Sequence, residues 1–299
     1  GKGISKIGNT TTKFSGTYDG GGHTITGLSN SVSLSDYSGL FGYVRVLAVI
    51  KNLGIINANY FGSSNTGLLA GKIETGSAVI NCSSSGTVDG HQKVGGLIGS
   101  SSGSNVTNSY STATVSGSSE CGGLIGATYS SSVSNSYATG NASADGTYGN
   151  TGGLIGYFHN NSNMINCYSN GSPSVVNGNI GGLVGQKGNP VSAVNSFWDT
   201  ETSGQAESDV GIGKTSSEMK TQSTFTSVNW DFTTPIWSID GGTNNGYPNL
   251  ENNTIVHLWV GNSNPYWNTT ENWSTGTIPT SSDDVFISDS RYVAIVFST

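Results

Sequence analysis

Apolar residues in this chain come in short alternating runs separated by Gly, Ser and Asn, and none of the runs is long enough for a helix. The clearest unit reads Val94-Gly-Gly-Leu-Ile-Gly99, then Val106-Thr-Asn-Ser-Tyr110, then Ala113-Thr-Val115-Ser-Gly117. Each run suits a strand. Under the period-two rule Val106, Asn108 and Tyr110 share one face, and Thr107 and Ser109 the other. The same triplet returns as Val133-Asn135-Tyr137, Met164-Asn166-Tyr168 and Ala193-Asn195-Phe197.

Two markers share one period. The pentapeptide Gly-Gly-Leu-Ile-Gly and its variants close on Gly42, Gly71, Gly99, Gly126, Gly156 and Gly185, at intervals of 29, 28, 27, 30 and 29 residues. Asn52, Asn81, Asn108, Asn135, Asn166 and Asn195 follow in step. Such a period marks a stacked repeat array. Coils of about 28 residues with three strands predict an all-β fold, a parallel β-helix or β-solenoid. Six coils rise roughly 29 Å at the ~4.8 Å strand spacing.

Apolar neighbours on both sides predict that each marker Asn points inward, where an amide needs partners for all its donors and acceptors. Asn stacked above Asn meets that need, so the six are expected to form a hydrogen-bonded ladder. The marker glycines are expected at corners, either at positive φ or where neighbouring backbones approach closely. No helix follows them, so they do not form a phosphate-binding loop.

Composition narrows the class. The chain of 299 residues is 33% apolar and 10% charged and contains 45 Gly, which suits a thin solenoid better than an ordinary globule. With a net charge of −7 and scattered lysines, it has no basic stripe for nucleic acid. No run approaches the ~20 apolar residues of a membrane span, so no membrane insertion is expected. Cys82 and Cys167 lie three coils, or roughly 14 Å, apart, beyond disulfide reach.

The Gly-Gly-Leu-Ile-Gly core with its downstream Asn-Ser-Tyr resembles the GLUG motif, a repeat of bacterial and archaeal cell-surface proteins. The resemblance spans about 38–200. Upstream, Phe14-Ser-Gly-Thr-Tyr-Asp-Gly-Gly-Gly-His-Thr-Ile25 is similar to the opening coil of right-handed β-helices. Downstream, the stretch from Phe197-Trp-Asp199 through Trp230 to Pro248 is similar to segments that end such arrays. Residues 1–37 therefore read as opening coils, 38–200 as the repeat solenoid, 201–252 as a capping segment, and 253–299 as the start of a second β-rich module. The resemblance implies a right-handed helix, secretion, and a place in a larger extracellular, adhesin-like protein.

Catalytic chemistry on such a fold needs clustered carboxylates. Glu74, Asp89, Glu120 and Asp145 occupy four repeat phases, so stacking is not expected to unite them. His23, His91, His159 and His257 have no metal-ligand spacing. No catalytic, cofactor-binding or metal residue is expected, and no cofactor. The predicted function is a non-enzymatic surface solenoid acting as stalk, binding surface or filament unit. Its expected partners are glycans, other surface components, or further copies docked end to end. The alternative is a polysaccharide lyase or hydrolase on the same fold.

Overall fold

The alternating runs form strands, and every strand of the repeat array pairs in parallel with its equivalent one coil away. The computed structural model describes residues 6–30, 35–147, 149–234 and 236–251, with 256–258, 268–273, 278 and 284–286 beyond them. The expected module at 253–299 lies largely outside the described residues.

Three sheets run the length of the stack. The first contains six strands, from Phe41–Val44 through Ile98–Ser102 and Ile125–Tyr129 to Val184–Lys187. The second contains five, from Ser64–Gly67 to Gly178–Gly181. The third is built from the long strands Val49–Phe61 and Ala78–Asp89, which the next three coils break into three pieces each and the last into two. Register places like on like: Ile98, Ile125, Ile155 and Val184 form one row, and Val106, Val133, Met164 and Ala193 another. Leu97, Leu124, Leu154 and Leu183 are fully buried at the bend between the second and first sheets. Each contributes about 1.5–3 kcal/mol of transfer free energy, so this column is the spine of the narrow core.

The marker Asn residues, and not the marker glycines, occupy the corners. Asn52, Asn81, Asn108, Asn135, Asn166 and Asn195 all lie in the left-handed region, with φ of 55°, 51°, 49°, 43°, 52° and 49°. They are corner residues, for which Asn is the best-suited side chain after Gly. A residue at positive φ breaks strand alternation, and this corrects the period-two reading. Val106 points into the main core, whereas Tyr110 emerges on the outer flank against a second cluster.

The marker glycines Gly42, Gly71, Gly99, Gly126, Gly156 and Gly185 have no positive φ; each is the second residue of a first-sheet strand. Their reason is close approach. A Cβ on Gly126 would lie 2.4 Å from Lys93 C, 2.5 Å from Val94 N and 2.7 Å from Gly99 O. Opposite these glycines stands a second left-handed row, Tyr37, Asn65, Lys93 and Glu120, at φ of 56°, 60°, 55° and 39°.

The two ends of the stack differ. At the opening end Ile7 and Phe14 bridge to Phe41 and Val44, and Thr17–Thr26 pairs with Val49–Phe61. At the far end residues 207–214 cover the last coil. Gly182 donates to Glu207 O, Ser208 Oγ accepts from Leu183 and Val184 N–H, and Asp209 Oδ2 accepts from Lys187 N–H. The following segment, with short helices Ser216–Met219 and Gln222–Thr226, packs Phe225, Trp230, Trp237 and Tyr247 into one cluster with Tyr137, Tyr168 and Phe197 on the solenoid flank.

Candidate functional site

The repeat markers themselves are mostly occupied with the scaffold. Asn81 Nδ2 donates to Asn52 Oδ1 at 2.9 Å, and Asn166 Nδ2 to Asn135 Oδ1 at 3.4 Å. Asn52 also donates to Asp19 and Asn195 to Val228 O, so the row is tied to flanking groups as well as to itself. Asn108 is buried at 3% exposure, and the other five are half-buried. The residue after each Asn turns inward, and this interior polar row went unrecognised in the sequence. Ser109 Oγ accepts from Cys82 N–H, Ser136 Oγ from Ser109 N–H and Ser196 Oγ from Cys167 N–H. The same hydroxyls donate to Thr107 O, Ser134 O and Val194 O, which satisfies both functions of each serine.

Cys82 and Cys167 occupy that row and Cys121 lies elsewhere in the core; all three are free and buried. Burial pushes each thiol up to about 12. They are therefore poor nucleophiles and poor metal ligands.

Most of the acids outside the core are paired off. Glu74 accepts from Tyr43 Oη at 2.6 Å and pairs with Lys13 at 3.1 Å; Asp19 pairs with Lys51 at 3.2 Å. Asp199 and Glu201 both hold Ser216, through its hydroxyl and its N–H, and so fasten the covering segment. Among the described residues no group of three or more His, Cys, Asp and Glu is arranged around a metal position.

Stacking leaves Asp89 and Asp145 two coils, roughly 10 Å, apart, since Asp89 pairs with Ser116 one coil on and Asp145 follows Ala144, the partner of Gly117. Both line one concavity of about 340 Å³, with Ser116, Ser118, Ser143, Ser174, Val175 and Val176 among its walls. The strands beneath put Val88, Val115, Ala142 and Pro173 in one buried row, so the next row, Asp89, Ser116, Ser143 and Ser174, faces out. A bend after Gly90 and Gly117 brings Ser118 and Asp145 alongside, with Ser118 Oγ donating to Asp145 Oδ1 at 3.0 Å. Phase alone misses this, because the two acids belong to different rows that only the bend makes adjacent. The result is an axial trough of hydroxyls and carboxylates with one polar position per coil. It suits a ligand rich in hydroxyl groups, which can donate to carboxylates and exchange bonds with serines.

Comparison with known proteins agrees with the geometry. The family model of the GLUG motif matches residues 62–89 and 90–116. Halomucin of Haloquadratum walsbyi is 39% identical over 104 residues, which is 34% of this chain and 1% of Halomucin. The chain thus corresponds to a very small part of that protein. The crystal structure of a "putative immunoglobulin A1 protease" from Bacteroides ovatus superposes with a TM-score of 0.63 at 22% identity, covering 78% of this chain and 76% of the other. At that identity the likeness speaks to the fold alone. Two GLUG motifs thus lie inside the parallel stack, whose coils build a β-solenoid.

Proposed function

We propose that the chain is a non-enzymatic segment of a larger extracellular, cell-surface protein, a rigid spacer that offers glycans a repetitive polar flank. The observation that carries this reading is the outward row Asp89, Ser116, Ser143 and Ser174 with Ser118 and Asp145 beside it. One weak polar contact recurs every ~4.8 Å along the axis, and a polymer that meets several at once binds by avidity. The partial relative's mucin-type name supports a surface setting. The covered far end favours a spacer over head-to-tail filament growth, although the opening strand Thr17–Thr26 keeps one edge unpaired among the described residues.

A second reading, a polysaccharide-active enzyme, draws its support from the same groove, since Asp89 and Asp145 are two carboxylates lining one trough. Binding to immobilised polysaccharides, measured for the whole chain and for a version shortened by two central coils, separates the readings. Graded loss supports a distributed flank. Complete loss on shortening points to one localised site, and absence of binding in both leaves a spacer only.

A further inference from the structure

A second cavity lies between the solenoid flank and the covering segment, with a volume of about 710 Å³, within the ~300–1,000 Å³ of small-molecule sites. Thr139 and Asn170, side by side in successive coils, form one wall; Thr202, Lys220, Asn245 and Tyr247 stand on the other. Its rim is a left-handed turn. Asn244 and Asn245 have φ/ψ of 49°/36° and 53°/28°, and Gly246 follows at φ 81°. Asn is the side chain that adopts this conformation most readily after Gly, so the rim is a tight turn. Two bonds fix the turn: Asn244 Nδ2 donates to Tyr168 Oη at 2.6 Å and to Pro248 O at 2.8 Å.

The cavity's polar groups are left open in a specific way. Lys220 Nζ sits over the Tyr247 ring, 4.7 Å from its centroid, and has no carboxylate partner among the described residues. The nearest carboxylate behind Tyr247 is Asp199, already engaged by Tyr247 Oη at 2.6 Å, Ser216 Oγ at 2.7 Å and the N–H groups of Glu201 and Thr202. What remains is one cation and the amide and hydroxyls of Asn245, Thr139 and Thr202. A neutral sugar leaves the ammonium unused. A phosphate group would call for more than the single cation present.

We propose that this cavity binds an acidic sugar, a uronate residue of a polysaccharide, with its carboxylate on Lys220 and its ring hydroxyls on the side chains of Thr139, Thr202 and Asn245. The site deepens the glycan-contact reading and rests on it, but shares no residue with the Asp89–Asp145 trough.

Calorimetric titration of the full chain with trigalacturonate, with trimannuronate and with the methyl ester of each tests the proposal, because acid and ester differ in charge at the carboxyl. One acid is expected to bind about ten-fold tighter than its ester, the worth of a single charge-assisted contact. Lys220→Gln, an exposed substitution, should bring the acid down to the ester's affinity while the melting temperature stays fixed, and Thr139→Val should weaken both forms. Equal affinity of acid and ester, absence of binding by both acids, or an unchanged preference in Lys220→Gln overturns it. Asp89→Asn/Asp145→Asn, titrated in parallel and assayed on neutral polysaccharide, keeps the two sites apart. Loss of neutral-polymer retention with an intact acid preference locates failure in the trough alone.

Discussion

Replacing Asn135 by Gly and, separately, by Ala distinguishes the backbone role of the marker Asn from its side-chain role. Asn135 sits at φ 43°, its N–H donates to Ile165 O at 3.1 Å, and its Oδ1 accepts from Asn166 Nδ2 at 3.4 Å. Both substitutions remove the amide and keep the backbone bond. That side-chain bond is long and half-buried, so its loss costs about 0.5–1 kcal/mol. Ala must then hold a left-handed backbone, which adds roughly 1 kcal/mol beyond what Asn requires. Gly carries no such strain but loses more chain entropy on folding, about 0.5–1 kcal/mol. The expected losses are about 1.5–2 kcal/mol for Ala and about 1–2 for Gly. Repeat arrays need not unfold in one step, so far-ultraviolet dichroism and tryptophan fluorescence should be melted together and compared. Asn135→Gly is expected to melt at or above Asn135→Ala by up to a few degrees. A glycine variant clearly less stable than the alanine variant would refute the corner assignment, because it would leave positive φ without energetic weight.

Three further outcomes follow from the packing. Gly126→Ala should cost at least ~2–3 kcal/mol, because its new methyl meets backbone atoms of Lys93, Val94 and Gly99 inside 3 Å; a melting temperature within two degrees of wild type would contradict this. The three thiols should ignore an aromatic disulfide reagent at pH 8 in the folded chain and all react in denaturant, since burial holds them at about 12; rapid labelling of the native protein would show the core to be open. Burial pushes the Asp199 carboxyl up, but bonds from Tyr247, Ser216 and the N–H groups of Thr202 and Glu201 outweigh it and leave its pKa lowered. Its stabilisation is thus present above the unfolded value of ~3.9 and lost as pH falls through the folded one. Asp199→Asn should loosen the covering segment at pH 7 and flatten its response below pH 4, read by Trp230 and Trp237 fluorescence; an unchanged acid response would refute the assignment.

The solenoid was legible because stacking repeats one side chain at one place, so the 27–30-residue spacing and the strand runs are written openly. The roles of the two markers were not separable by eye. Asn is both a good stacking amide and the best left-handed residue after Gly, and alternation fails across a residue with positive φ. The second left-handed row carries Tyr37, Asn65, Lys93 and Glu120, with no common side chain, because it is imposed by the glycine strands opposite. The short helix at Ser216–Met219 does carry a signal, the capping box Thr215-x-x-Glu218, inside a Ser/Thr-rich stretch where it is easily missed. Neither cavity could be read from the chain. One depends on a bend that sets two rows together, and the other joins Thr139 to Tyr247 across the covering segment.

The central claim is that this polar flank binds polysaccharide without cutting it. The most direct measurement incubates the chain with a panel of neutral and acidic polysaccharides and follows polymer length, new reducing ends and unsaturated products alongside retention. The account predicts retention of at least one polymer with its length distribution unchanged. Shortening of any polymer that Asp89→Asn/Asp145→Asn abolishes would contradict it and establish the groove as an active site.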